Sequence, residues 1–489
     1  MGYGLLKLAS IGNENMLVST RPQITFFKKN FAKYSFFSIE QIPQYFKSVP
    51  SFGRKVTLTL SKEADLLGDL HLYVELPDIP LSKHSILPSG IKKFAWVKKI
   101  GLAMIDFIDL EIDGRLIQRH YNDWLNIYYN GFNDNLDMDK ILGNIDILTD
   151  YNNGKTSYKL YIPLKFFFNL DSSLFLPICA LNKQDIKIHV KFNDFNKCYN
   201  TSPTHYFTIS SNICLYKTGE YIRQTIDNQT YIGRFVYFDM VNQRVYYDKI
   251  YGDFKVSTMT NTSYNITGDL SGFKVQPTIN SIIVKDESYF YTTTPEIKDS
   301  YIIANYVYLD VNEKNYFKTN KHQYIVPLVQ NILDKNINSV NNNYKLQLTN
   351  PHKILFWRGV LQSNIELNDI FNYTSYPLTS TEQPLIISNK LYINSIPRMN
   401  IGNYEFYTYL QNYTNKLKIK EYIYNLSFGN NIIDIEPSGT FNFSKIDDAY
   451  IQLNLNKLVN YQNYINIRAY GYYYNIYVIN NETSAFKFI

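Results

Sequence analysis

The sequence predicts an all-β protein made of two sandwiches or barrels in tandem, and three observations support this fold class. Apolar residues alternate with polar ones along many short segments, which is the period of a half-buried strand. Helical patterns are sparse, and the short strands are joined by polar, Asn-rich connections. The chain has 489 residues, which exceeds one ordinary sandwich and suits two.

Five segments show the alternation most clearly. In the first of them, Val56, Leu58 and Leu60 share one face while threonines take the other. The pair Asp113-Gly114 supplies the positive φ angles of a tight turn, so the segment around it is predicted to be a hairpin. In chain order the segments are 54–62, 69–77, 109–118, 186–192 and 449–455.

Two helices and one long irregular region complete the prediction. Residues 120–132 place Trp124, Ile127 and Tyr128 on one side of a short helix, and residues 327–336 are a second candidate helix. Residues 195–300 alternate weakly and are rich in Asn, Thr, Tyr and Ser, which indicates long surface loops with some strands.

Composition and charge narrow the class of protein. The chain contains 45 tyrosines and 31 phenylalanines, which are high counts, and aromatic side chains suit sheets and interfaces. The net charge of +6 is small for this length and argues against a dedicated nucleic-acid binder. Cys179, Cys198 and Cys214 include no C-x-x-C pair, so we expect a reducing compartment and no zinc ribbon. The sequence has neither a secretory signal pattern nor a run of about 18 apolar residues, so we expect no membrane span.

The residues that carry enzyme chemistry are not arranged for it, and the sequence predicts no enzyme. A Gly-rich phosphate loop, a G-x-S-x-G elbow and an H-E-x-x-H motif are absent, and the histidines lack metal-ligand spacing. Asp447 and Asp448 are the best acid pair, but neighbours on a strand point to opposite faces. We therefore expect no catalytic residue, no cofactor and no metal ligand.

Nine N-x-S/T sequences occur in the chain, and four of their asparagines are the candidate glycosylation sites. In a chain so rich in Asn, such sequences also arise by chance, and without a signal peptide we do not expect secretory glycosylation. The candidates are Asn228, Asn261, Asn265 and Asn372.

Seven blocks of the chain, taken together, resemble one family. The block "PSGTFNFSKIDDAYIQL" (437–453) is among the most recognisable, and all seven occur in the order the family has them. They are residues 19–40, 52–77, 95–128, 160–192, 304–330, 350–357 and 437–453. On these blocks the chain resembles the double jelly-roll major capsid proteins of nucleocytoplasmic large DNA viruses.

The resemblance implies a specific all-β architecture, namely two tandem eight-stranded jelly-roll barrels with long loop insertions and a few short helices. It implies an N-terminal arm at residues 1–24, a first barrel at 25–320 and a second barrel at 321–489. Residues 195–300 are then a loop insertion of the first barrel. The C-terminus lacks the Gly-rich tail that the family leads us to expect.

The resemblance also implies a function in the virus shell. Three chains would form a homotrimer, a pseudo-hexagonal capsomer that tiles an icosahedral capsid, assembled in the host cytoplasm and located in the virion. Its partners would be neighbouring capsomers, minor capsid proteins and penton proteins, with the internal viral membrane as a further candidate and no direct nucleic acid. The alternative is a divergent paralogue that acts as a minor capsid protein or a membrane-shaping assembly scaffold.

Three lysines next to the arm are candidate contacts of the inner face. We expect the arm to lie along the inner base of the shell, where Lys28, Lys29 and Lys33 would face minor capsid proteins or the membrane.

The block at 437–453 is expected to have a structural role. Pro437, Ser438 and Gly439 are predicted to form the turn that enters a strand, with Gly439 needed for the backbone geometry. Asp447 is predicted to cap the corner by accepting backbone N–H bonds.

Overall fold

The structure is a computed structural model that describes residues 2–29, 31–80, 93–132, 138–258, 264–285, 295–399 and 401–488. Strands dominate it. In chain order they are β1 (Phe37–Tyr45), β2 (Lys55–Thr59), β3 (Leu66–Glu75), β4 (Lys93–Trp96), β5 (Ile105–Ile112), β6 (Arg115–Tyr121), β7 (Lys159–Pro163), β8 (Ile186–Phe192), β9 (Tyr199–Ser202), β10 (His205–Thr208), β11 (Tyr221–Ile226), β12 (Gln229–Asp239), β13 (Arg244–Tyr251), β14 (Ile266–Gly268), β15 (Lys274–Val275), β16 (Val284–Lys285), β17 (Asp299–Leu309), β18 (His322–Ile337), β19 (Asn341–Lys345), β20 (Pro351–Leu361), β21 (Ile386–Ile393), β22 (Ile396–Pro397), β23 (Tyr424–Ser427), β24 (Phe441–Asn442), β25 (Ala449–Leu455), β26 (Ile465–Asn480) and β27 (Thr483–Phe486).

The helices are short and lie in the connections between strands. They are α1 (Tyr3–Ala9), α2 (Asn13–Ser19), α3 (Ile100–Ala103), α4 (Asn122–Phe132), α5 (Met138–Leu142), α6 (Asp146–Thr149), α7 (Val311–Thr319), α8 (Gln362–Glu366) and α9 (Gln411–Thr414), with a π-helical turn at Phe406–Leu410. In the described part of the chain, every helix is too short or too polar to cross a bilayer.

The first barrel consists of two four-stranded antiparallel sheets. One sheet has the order β1-β17-β3-β7 and the other β2-β8-β5-β6. If its eight strands are counted along the chain, the first sheet reads one-eight-three-six and the second two-seven-four-five. This interleaving of the two sheets is the jelly-roll arrangement.

The second barrel repeats this order strand for strand. One sheet has the order β18-β26-β20-β23, with β24 and β27 added at its sides, and the other has the order β19-β25-β21-β22. Counted along the chain, these strands again read one-eight-three-six and two-seven-four-five. The prediction of two tandem jelly rolls is confirmed.

Local patterns explain why these segments became strands. In β8 and β25, buried and less buried residues alternate as the sequence predicts. The hairpin of β5 and β6 turns at Asp113 and Gly114, whose φ angles are 53° and 76°. Such positive φ values at both central residues belong to the tight turns that suit a twisted hairpin.

One helix prediction is confirmed and the other is wrong. Residues 120–132 contain α4, which begins at Asn122. Residues 327–336 lie instead within the long strand β18, which pairs with β26. Leu328 and Ile332 are spaced as on a helix, but the sheet determines the outcome. Pro327 is tolerated because β18 is an edge strand, where a missing N–H costs little.

The region between β8 and β17 differs from the prediction of long loops. Strands β10 to β16 form a seven-stranded sheet, β15-β14-β11-β12-β13-β10-β16, which we call the insertion sheet. It has a separate core that includes Phe207, Ile222, Phe235 and Tyr247. The period was hard to see in the sequence because several strands are short and β12 shifts register twice.

The insertion sheet packs on the second barrel. The hydroxyl groups of Tyr221 and Tyr376 lie 2.5 Å apart, and Arg223 donates to the Leu378 carbonyl at 3.0 Å. Tyr376 and Leu378 belong to the connection between β20 and β21. The insertion of one barrel is thereby supported by a loop of the other.

Candidate functional site: the barrel junction and the exposed arm

A highly charged buried site lies where α4 meets the second barrel. Asp123, at the start of α4, accepts hydrogen bonds from Arg358 Nε at 2.9 Å and Arg358 Nη2 at 2.6 Å. It also accepts from Arg468 Nη1 at 3.1 Å and from the Tyr470 hydroxyl. Only 3% of Asp123 and 7% of Arg358 are exposed, so this charge pair is withdrawn from water.

The electrostatics of Asp123 depend on these partners. Burial alone would raise the pKa of the carboxyl, but Arg358 and Arg468 hold that pKa below its ordinary value. A buried carboxylate without its arginines would carry an uncompensated charge in a medium of low dielectric constant. The cluster therefore fixes one arrangement of the two barrels, because both sides of the junction are needed to satisfy it.

A second polar set and an aromatic set complete the junction. Lys99 Nζ lies 2.6 Å from Glu421 and 2.7 Å from the side-chain oxygen of Asn126, and Asn126 donates to the Tyr373 hydroxyl at 3.1 Å. Trp124 packs against aromatic rings of the second barrel, and the largest buried apolar cluster contains residues of both barrels. The two barrels thus share one continuous core.

Sequence reasoning missed these residues. Asp123 and Arg358 are 235 positions apart, and no spacing in the chain relates them. The available signal was a carboxylate directly before Trp124 on the apolar side of a helix, where a charge needs a partner.

The described residues of the N-terminal arm and of the segment that joins it to β1 have almost no contact with the barrels. Neither α1 nor the segment that follows α2 buries a side chain, and Phe26 and Phe27 are 93% and 98% exposed. Lys28, Lys29 and Lys33 are exposed as well. Lys29 Nζ lies 5.3 Å from the centre of the Phe31 ring. The three predicted lysines therefore share one surface with large apolar side chains.

Residues 437–439, predicted to form a turn, hold a neighbouring backbone loop in place. The Ser438 hydroxyl donates to the Asn431 carbonyl at 2.6 Å and accepts from the Asn431 N–H at 2.9 Å. Gly439 has a φ of 139°, and a Cβ there would lie 3.0 Å from the Phe428 carbonyl oxygen. Pro437 is exposed beside them. These contacts position a backbone loop and supply no base that would activate the serine.

The two aspartates after this turn differ. The Asp448 carbonyl accepts from the Asn394 N–H at 2.8 Å, and the Asp448 N–H donates to Asn394 Oδ1 at 3.2 Å. The Asp448 carboxylate lies 3.8 Å from Lys345 Nζ. Asp447 is exposed, and its carboxylate has no hydrogen bond among the described residues. The capping role of Asp447 stays a prediction, and Asp448 is the better placed of the two.

The candidate glycosylation sites have different surroundings. Asn228 is exposed in the turn between β11 and β12, and Asn265 is half-buried. The Asn372 amide donates to Asp369 at 3.0 Å and to the Tyr376 carbonyl at 2.9 Å, which is a structural use of that side chain. Asn261 lies outside the described residues.

Two histidines of the described part of the chain are packed deep inside the barrels. His120 stacks on Phe166 at 5.2 Å, and burial lowers its pKa to about 3. His352 is also buried, with a pKa lowered to about 4. Within the described ranges, no three His, Cys, Asp or Glu side chains come together in a way that would hold a metal ion.

Comparisons with known proteins match this arrangement of two barrels. A family model described as "Major capsid protein N-terminus" matches residues 25–253, and one described as "Large eukaryotic DNA virus major capsid protein" matches residues 313–484. "Probable capsid protein 4" of Acanthamoeba polyphaga mimivirus is 32% identical to the chain, with 97% of each covered. The major capsid protein of Paramecium bursaria Chlorella virus 1 is 22% identical, with 93% of this chain and 87% of that protein covered.

Solved structures agree on the fold. The Faustovirus major capsid protein superposes with a TM-score of 0.66 at 10% identity, covering 94% of this chain and 93% of that chain. A chain of the PBCV-1 virus capsid gives a TM-score of 0.59 at 19% identity, covering 95% of this chain and 100% of that chain. At these identities the likeness concerns the fold alone.

Proposed function

Because the chain belongs to the major capsid proteins of large eukaryotic DNA viruses, and is thus a structural component of the virion, we propose that three copies form one capsomer. In this proposal the homotrimer is a pseudo-hexagonal tile, and many tiles cover an icosahedral shell. The observation that carries it is the equal strand order of two barrels held in one chain. Three such chains around a threefold axis present six similar lobes.

A tile of this kind needs a rigid junction between its lobes. The Asp123 cluster and the shared apolar core supply that rigidity, since neither barrel can shift without exposing a buried charge. Flexible lobes would lose conformational freedom at each lattice contact, which would weaken assembly.

The two ends of the first barrel carry different parts of the chain, which supports assigning one end to the inner face of the shell and the other to its outer face. Strand β1 begins at Phe37, opposite Leu309 at the end of β17, whereas Tyr45 lies opposite Tyr301 near the start of β17. The arm therefore leaves one end of the sheet and the insertion sheet joins the other, roughly 30 Å away at the rise of a strand. We propose that the insertion sheet faces outward as a tower, carrying the candidate glycosylation site Asn228, and that the arm lies on the inner base.

The inner base is where the tile would meet the rest of the shell. Lys28, Lys29 and Lys33 are the proposed contacts there, and their candidate partners are neighbouring capsomers, minor capsid and penton proteins, and the internal membrane. We expect no direct contact with nucleic acid, in line with the small net charge. We expect assembly in the host cytoplasm.

The experiment is a mass measurement on the purified full chain. Light scattering should give the mass of three chains, and negative-stain microscopy should show particles with a hexagonal outline. A protein that remains a single chain at micromolar concentration would overturn the proposed tile. Counting copies per virion then separates a major shell protein from a minor paralogue or a scaffold, because only the former supplies most of the shell.

A further inference from the structure

The segment 21–36, which we call the basic arm segment, buries none of its described side chains against the barrels. It carries Arg21 and the three lysines, and the chain has no Asp or Glu between Glu14 and Glu40. Its exposed large aromatic residues are Phe26, Phe27, Phe31, Tyr34 and Phe36. Several large apolar side chains exposed along one short segment indicate a binding surface. Its partner should therefore offer both an apolar surface and negative charge.

A groove with these properties lies between the two barrels. We call it the acidic groove; it has a volume of about 570 Å³. Its residues are Leu170, Asp171, Ser173, Leu174, Ile325, Ile433, Asp434, Ile435, Glu436 and Pro437. Ile325 and Ile433 are 50% and 42% exposed, so apolar surface is open to a ligand. Three carboxylates and no basic side chain line it, which complements the charge of the basic arm segment.

The wall of the acidic groove is held in place from below. Lys353, in β20, donates to the Ile432 carbonyl at 3.1 Å and to the Asp434 carbonyl at 3.4 Å. Its ammonium group lies 4.4 Å from the centre of the Tyr472 ring. A preformed wall binds a segment with less loss of conformational entropy than a wall that must order on binding.

The arm and the acidic groove lie at the same end of the molecule. Phe37, where the arm meets β1, pairs with Leu309, and the Leu309 N–H donates to the Asp65 carboxylate at 3.0 Å. The side-chain amide of Asn169, two residues before Asp171, donates to the Gly68 carbonyl at 2.8 Å, next to where Leu67 pairs with Tyr306 of β17. Copies placed side by side in a layer would thus have arms and grooves at one level.

We propose that the basic arm segment of one copy binds the acidic groove of a neighbouring copy. The inference rests on the proposed function, because it needs copies side by side, and it selects one of the partners considered for the inner base. Own-chain binding is disfavoured by the exposure of the aromatic side chains, which the chain's own groove does not cover. The phenyl groups would cover Ile325 and Ile433 while Lys28 and Lys29 meet Asp434 and Glu436.

Cross-linking between two differently tagged full-length chains tests this. One chain carries Phe27→Cys and the other Ile433→Cys, both at exposed positions, and a short bismaleimide joins cysteines that are close. The expected product contains both tags. A chain with Glu382→Cys, at an exposed position in the connection between β20 and β21, is the control and should not cross-link to the arm.

Charge reversal then tests the reason for binding. Asp434→Lys with Glu436→Lys should lower the two-tag product about fivefold, since exposed ion pairs each contribute modestly. Lys28→Glu with Lys29→Glu in the arm chain should restore it. The matched control, Glu366→Lys with Glu382→Lys, changes the same charge on the connection after β20 and should leave the product unchanged.

Three results would overturn the proposal. The first is cross-linking only when one chain carries both cysteines. The second is a yield of two-tag product that Asp434→Lys with Glu436→Lys leaves unchanged. The third is an arm that binds anionic vesicles but gives no two-tag product. Light scattering keeps the two proposals apart. A three-chain particle without the two-tag product contradicts only the arm contact, whereas a single-chain mass contradicts the tile.

Discussion

The two barrels have the same strand order but differ in the connection between their seventh and eighth strands. In the second barrel this connection is the short segment 456–464, whereas in the first it spans 193–298 and contains the insertion sheet with its own core. This difference shows that sheet packing constrains the lengths of the strands, whereas the length of a connection at the end of a sheet can increase. A loop insertion adds little closure entropy to folding, so one barrel can carry a second folded layer.

The barrels also contribute unequally to their junction. The first supplies the acid, Asp123, and the second supplies Arg358, Arg468 and Tyr470. The first barrel buries His120, whereas the second buries His322, His352 and, next to the acidic groove, Lys353. Four predictions test these asymmetries, beginning with the largest expected effect.

Breaking the junction should have the largest effect. Asp123→Asn leaves Arg358 buried without its counter-charge, so we expect a loss of about 3 to 5 kcal/mol in the free energy of unfolding. Chemical denaturation of the purified protein measures it. Asp448→Asn is the control, because its pair with Lys345 is exposed and should contribute less than about 1 kcal/mol. Equal losses in the two variants would mean that the junction does not stabilise the pair of barrels.

Acid should destabilise both barrels through their buried histidines. The unfolded pKa of about 6.5 exceeds the folded values of about 3 for His120 and about 4 for His352, so the unfolded chain binds protons first as pH falls. Stability present above pH 6.5 is then lost towards pH 4, by about 3 kcal/mol for each histidine.

Melting temperatures between pH 7 and pH 4 test this. His120→Leu and His352→Leu should each flatten the pH dependence by a similar amount, one in each barrel. A pH slope that is the same in the wild-type protein and both variants would contradict the assignment.

Lys353 should give the second barrel a further gain in stability as the pH rises above 7. Burial lowers its pKa from 10.5 to about 7, so between those values the unfolded chain holds the proton and the folded chain does not. Stability should therefore rise from pH 7 to pH 9 by about 2 kcal/mol relative to Lys353→Met. Urea titrations at pH 7, 8 and 9 measure the difference. A constant difference across this range would show that Lys353 stays protonated.

The smallest expected difference in stability is that between two Gly→Ala variants. Gly439, in the second barrel, combines a φ of 139° with a close backbone contact, and Gly272, in the insertion sheet region, has a φ of 63° in open space. We expect Gly439→Ala to cost about 2 kcal/mol and Gly272→Ala about 1 kcal/mol in thermal unfolding. If Gly272→Ala cost more than Gly439→Ala, the close approach of residue 439 to the Phe428 carbonyl would contribute nothing to stability.

The sequence predicted the parts of the fold that have a local signal. Alternation gave strands such as β8 and β25, and Asp113-Gly114 gave the hairpin, because side-chain period and turn geometry depend on a few adjacent residues. The role of Pro437, Ser438 and Gly439 as a turn stays a prediction, and no local pattern pointed to the hydrogen bonds between Ser438 and Asn431. The resemblance of ordered blocks then led to the double jelly roll.

Tertiary structure decided what depends on distant partners. Residues 327–336 have helical spacing, yet they form an edge strand because β26 offers a ladder of backbone partners more than 100 positions away. The insertion sheet includes several strands too short to show a period, and its long strand β12 shifts register twice. Asp123 finds Arg358 across 235 positions, and no local pattern encodes that pair. The sequence by itself thus determined the class of fold and the positions of its regular strands, because period and turn chemistry are local. Only the tertiary structure decided the junction, the arm surface and the groove, because charge pairing and burial depend on which segments meet in space.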